Sequence, residues 1–112
     1  MKIDKRQRDG ATILDLQGRI TIGEGDVALR EAVLAAVGEG ATNILLNMGR
    51  VRSIDSSGVG ELVAAYTTVT NRGGKLRLFS MPSRVLGVLQ ITQLVTVLDI
   101  LEDEDEAVAS VA

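Results

Sequence analysis

Apolar and polar residues first alternate along this chain and then settle into helical spacing. Ile3 to Gln7 reads as a short, polar edge strand, and Asp9-Gly10 is a strong hairpin signal. In Ala11 to Gly18, Leu14 and Leu16 fall on one side and Asp15 and Gln17 on the other. That alternation predicts a half-buried strand. Gly18 to Asp26 is a glycine-punctuated loop, with Asp26 placed to cap a helix. Leu29, Val33, Ala36 and Val37 then recur at helical spacing, while Arg30, Glu31 and Glu39 lie off the stripe. The stripe is core, and Gly38 and Gly40 end the helix.

Asn43 to Met48 is apolar on successive residues, as a central parallel strand tends to be. Gly49 to Ile54 reads as a connection from it to Asp55-Ser56-Ser57-Gly58-Val59-Gly60. Val59, Leu62, Val63, Tyr66, Val69 and Thr70 form the stripe of a second helix, stopped by Gly73-Gly74. Lys75 to Ser80 is a strand. Pro82 suits the first turn of a third helix through Val85, Leu86 and Leu89. Leu94 to Ile100 contains a short edge strand. The run Glu102 to Glu106 precedes Ala107-Val108-Ala109 and reads either as the acidic first turn of a last helix or as a solvated acidic tail. The order predicts one α/β domain over residues 1–112. Its mostly parallel central sheet has four or five strands, an antiparallel hairpin at the edge and about four helices.

Composition narrows the function. The chain has no His and no Cys, which removes disulfides, thiol nucleophiles, common zinc sites and His-based proton transfer. It fits a cytoplasmic protein. One Tyr, one Phe and no Trp leave little for stacking bases, and a net charge of −3 disfavours a phosphate-backbone binder. No signal peptide and no stretch long enough for membrane insertion is visible.

The stretch from Ile54 to Gly60 stands where a strand hands over to a helix. Helix N-termini leave unpaired N–H groups and partial positive charge, so Ser and Asp cap them and anions bind there. Capping alone accounts for Asp55, Ser56 and Ser57; Gly58 and Gly60 would let another molecule come close. A dinucleotide fingerprint fails because Val63 stands where the third glycine should be, and no Gly-Lys-Ser/Thr is present. Ser56 has no His to activate it as a nucleophile. Arg50 and Arg52 make a small basic spot before the stretch, either as solvated loop charges or as a phosphate contact.

The whole chain resembles the STAS domain, the family of anti-sigma-factor antagonists. The matching residues are Gly18-Arg19-Ile20, Asn43 to Met48, Ile54 to Gly60, Gly73 to Leu78 and Leu89 to Leu94. The resemblance implies a protein-binding module, not an enzyme, without cofactor or metal, acting as a monomer or weak dimer. It implies an anti-sigma-factor serine kinase as partner, which phosphorylates the antagonist and so releases it, and a PP2C-type phosphatase that resets it. The modified residue in the family follows the Asp, which is Ser56 here. Thr21 stands where many antagonists carry an Asp, in a loop that contributes to their partner surface. The expected partner-binding residues are thus Thr21, Asp55, Ser56, Ser57, Gly58 and Gly60. Two alternatives remain: an unphosphorylated assembly subunit of a stress-sensing complex or membrane transporter, and a small nucleotide-binding domain.

Overall fold

The hairpin forms as its turn residues require. Asp9 and Gly10 both take positive φ, at 49° and 83°, giving the mirror-image two-residue turn whose twist matches the strands. In this computed structural model the backbone of residues 1–112 is described, and every side chain except that of Val95. The turn joins β1 (Lys2–Arg8) to β2 (Ala11–Ile20). Then follow α1 (Gly25–Gly38), β3 (Asn43–Ile54), α2 (Ser56–Asn71), β4 (Lys75–Phe79) and α3 (Ser83–Ile91). A short 3-10 turn at Leu94–Thr96 leads to β5 (Ile100–Leu101) and α4 (Glu104–Val111).

The sheet order is β1-β2-β3-β4-β5. The β1/β2 pair is antiparallel, and the β2/β3, β3/β4 and β4/β5 pairs are parallel. Parallel crossovers of one hand, all stepping the same way, put their helices on one face of the sheet. Accordingly Leu14, Leu16, Ile44, Leu46, Leu76 and Leu78 meet the buried stripes of α1, α2 and α3 in one cluster. The opposite face carries a smaller cluster in which Ala11, Ile13, Leu45 and Phe79 meet Ala107, Val108 and Val111 of α4. Leu45 and Phe79 thus explain why β3 and β4 are apolar on consecutive residues.

Three sequence expectations need correction. First, β2 continues to Ile20 and β3 to Ile54, so the expected loops at Gly18–Ile20 and Gly49–Ile54 are strand. Register shifts between Asp15 and Gln17 and between Gly18 and Arg19 break the alternation that would have revealed them. Second, Asp26 does not cap α1: Glu24 holds that position, while the buried Asp26 carboxylate accepts from the Val27 N–H at 2.7 Å. Third, Pro82 is the cap residue of α3 rather than part of its first turn. Of the two readings of the run Glu102 to Glu106, the helical one holds: Asp103 caps α4 by accepting from the Glu106 N–H at 2.9 Å, and Glu104, Asp105 and Glu106 form its acidic first turn.

Candidate functional site

The first turns of α1 and α2 converge on the end of β2. A Cβ on Gly25 would lie 1.9 Å from the Arg19 carbonyl oxygen, and one on Gly58 would lie 2.0 Å from that of Ile20. Both helices therefore press backbone first against the last two residues of β2. The close approach that Gly58 permits is made by the chain itself, not by another molecule, and Gly58 is buried. The missing side chain of Gly58 thus serves the packing of α2 on β2. Gly60, two residues on, is exposed with open space where a side chain would stand.

Asp55 fastens this junction. It is the extended N-cap of α2, and its Oδ1 accepts from the Gly58 N–H at 3.0 Å. Its Oδ2 accepts from the Ile22 N–H, also at 3.0 Å, across the gap to the β2–α1 loop. Its own N–H donates to the Ile20 carbonyl at 3.4 Å. These donors, Gly58 first and Ile22 second, hold the Asp55 carboxyl below the usual carboxylate range. The loop of Thr21 and the start of α2 are thus brought together, as the sequence reading expected. Thr21 itself is half-buried, and its carbonyl accepts from the Asp26 N–H at 3.2 Å.

Ser56 is the first residue of α2 and is exposed; among the described residues no group bonds its hydroxyl. Ser57 is half-buried. Both oxygens of the neighbouring Asp55 are occupied by backbone N–H groups, so Asp55 is a structural tie and not a base aimed at Ser56. The serine stands at the positive end of a helix, an environment that tolerates an added anion.

Ile22 was not singled out from sequence. It is 74% exposed, and Asp55 holds its backbone beside the start of α2. The signal was an isoleucine inside a glycine-punctuated polar loop. The partly exposed Val27 follows on α1, and Arg30 of α1 bonds Glu61 of α2, tying the two helices. Arg50 and Arg52 lie on β3 and line a hollow with Lys2 and Gln17, and Ser56 is not among its lining residues.

Among the described residues, no three His, Cys, Asp or Glu side chains converge as a metal site. Among the same residues, no helix is long and apolar enough to cross a membrane. An anti-sigma-B factor antagonist of Bacillus subtilis (strain 168) is 27% identical over 100 residues, 89% of this chain and 90% of that protein. The crystal structure of a candidate anti-sigma factor antagonist from Thermotoga maritima matches with a TM-score of 0.89 at 26% identity. That match covers 97% of this chain and 93% of the other. A sulfate transporter family protein from Wolinella succinogenes matches with a TM-score of 0.78 and 26% identity, over 91% and 84% of the two chains. The STAS domain model matches residues 2–107, and with that span the chain belongs to the STAS domain family.

Proposed function

We propose that this chain is an anti-sigma-factor antagonist, a protein-binding module that captures an anti-sigma serine kinase and is switched off by phosphorylation of Ser56. The observation that carries the reading is Ser56 itself: an exposed, unbonded hydroxyl on a junction held rigid by Asp55. Ile22, Thr21, Ser57 and Gly60 surround it as partner surface, and Ile22 supplies the apolar anchor. The kinship with the Bacillus subtilis antagonist supports the same reading. A PP2C-type phosphatase resets the module, which works in the cytoplasm as a monomer or weak dimer.

The switch is an interface block. A phosphate adds roughly −1.5 to −2 charges at neutral pH. The helix dipole accommodates that charge in the free protein, so the fold stays as it is. A partner seated on Ile22 and Gly60 would have to desolvate a dianion. A loss of about 3 kcal/mol there weakens binding roughly a hundredfold.

Mass spectrometry after incubation with ATP and an anti-sigma serine kinase tests this. One phosphate, mapped to Ser56 and absent from Ser56→Ala, is expected; Ser56→Ala keeps binding and Ser56→Asp loses it. Full phosphorylation of Ser56→Ala would remove Ser56 from the mechanism. The likeness to a sulfate transporter family protein favours a second reading, an assembly subunit that uses the same surface without phosphorylation. A gel-filtration mass far above a dimer, with no modification, would favour it. The nucleotide-binding alternative loses its motive, because the space beside Gly58 is filled by Ile20.

A further inference from the structure

The face of the sheet opposite α1 to α3 is only partly covered. α4 lies over Ala11, Ile13, Leu45 and Phe79. Further along β2 and β3 the same face opens into a hollow of about 710 Å³, lined by Met1, Lys2, Gln17, Gly18, Arg50 and Arg52. Arg50 and Arg52 are exposed, and neither forms an ion pair among the described residues. The nearby acids are already engaged. Asp15 takes the Arg6 Nε at 2.7 Å and the Asn47 amide at 2.8 Å, and Asp4 lies 3.9 Å from the Lys2 ammonium. A chain with 15 acidic and 12 basic residues thus keeps two guanidiniums in one concavity without a salt bridge to either, although Arg50 lies close enough to Asp15 to help hold that carboxyl below its usual range.

We infer that this hollow docks an acidic segment of a partner protein. Arginine forks pair with carboxylates through two parallel hydrogen bonds, and neighbouring guanidiniums whose donors are bound to no carboxylate gain from an anionic visitor. The Gln17 amide, exposed on the same wall, both donates and accepts, which suits a peptide backbone. Nucleic acid fits poorly: the net charge is −3, and neither Tyr66 nor Phe79 lines the hollow for stacking. A lipid surface fits poorly too, because none of the exposed large apolar residues, Ile22, Val27, Leu34, Ile91 or Val97, lines it. The site lies on the strand face, apart from the Ser56 junction, and does not depend on the phosphorylation reading.

The test is an NMR titration of the 15N-labelled 112-residue chain with an octaglutamate peptide. Amide shifts are expected at Lys2, Gln17, Gly18, Arg50 and Arg52, with binding weakened severalfold between about 50 and about 200 mM salt. Arg50→Gln with Arg52→Gln should weaken binding about tenfold while the far-UV spectrum stays unchanged. If that pair perturbs the fold, Lys2→Gln and the salt series on the unaltered chain decide the question in its place. Shifts elsewhere, or none, would overturn the inference. So would tighter binding of an octathymidylate strand or of anionic phosphatidylglycerol vesicles than of the peptide.

Discussion

Gly58 and Gly60 stand two residues apart at the start of one helix, yet replacing each with alanine should change stability in opposite directions. At Gly58 the new Cβ would lie 2.0 Å from the Ile20 carbonyl oxygen, with Ile54 Cγ1 at 2.7 Å and Ile20 Cγ2 at 2.9 Å. A carbon and a carbonyl oxygen settle roughly 3.3 Å apart or more. The start of α2 must therefore withdraw from β2 by about 1.3 Å. Backbone cannot rotate out of the way as a side chain can. The same displacement stretches the Asp55 N–H bond to Ile20, already 3.4 Å long. Overpacking of this kind costs typically 1–3 kcal/mol, and a backbone obstacle places Gly58→Ala near about 3 kcal/mol. In a domain of this size that lowers the melting temperature by roughly 12 °C. At Gly60 nothing lies within 4 Å of the new methyl, and the residue sits inside α2. There alanine removes only unfolded-chain entropy, and Gly60→Ala should stabilise by about 0.5–1 kcal/mol. Urea unfolding followed by far-UV circular dichroism measures both. A Gly58→Ala protein within about 0.5 kcal/mol of the unaltered chain would refute the reasoning. So would equal losses at the two positions.

The ion pairs between the hairpin and α4 make a pH-dependent prediction. Glu104 bonds Arg6 and Arg8, and Arg6 also bonds Asp15. The Arg6 hydrogen bond is the main cause that holds both carboxyls below their ordinary values. Their stabilisation is therefore complete above the unfolded values, roughly pH 4, and is lost as pH falls through the lower folded ones. Glu104→Gln should cost about 1 kcal/mol near neutrality and almost nothing at low pH, read from urea midpoints across that range. Asp55 carries the same sign: acidification or Asp55→Ala should speed hydrogen exchange at the Ile22 and Gly58 amides before the sheet is affected, and unchanged protection would argue against the tie. Phe79 is 2% exposed in the small cluster under α4. Phe79→Ala should cost about 3–5 kcal/mol and free the α4 amides first; a loss under about 1 kcal/mol would show that α4 is held by its ion pairs alone.

Local signals made most of this architecture readable. Asp9-Gly10 announced the hairpin, the Leu29-Val33-Ala36 spacing announced α1, and Asp55 announced the cap of α2. What stayed hidden depended on distant partners. The run Val51-Arg52-Ser53-Ile54 resembles a loop until β2 lies beside it, because the shifted register puts its polar residues on an uncovered face. At the site, Ser56 and Asp55 were legible from cap chemistry. The tie to Ile22 was not, since nothing local says that an acid at 55 will meet an amide 33 residues earlier. Gly58 makes the same point. A missing side chain shows that something comes close, but only the fold shows that Ile20 does.

The sheet is laid down in the order in which its strands leave the ribosome. Each strand from β2 onward joins the one made just before it, so the emerging chain can extend its sheet without waiting for a distant partner. One surface is the exception. Ala11, Ile13, Leu45 and Phe79 are all synthesised before α4, and until Ala107, Val108 and Val111 arrive they form a bare apolar face. Arg6 and Arg8, among the first residues made, wait for Glu104 and Asp105, separated by close to a hundred positions. Nascent chains stalled just short of α4 should therefore hold a formed sheet and still engage chaperones, and addition of α4 should release them.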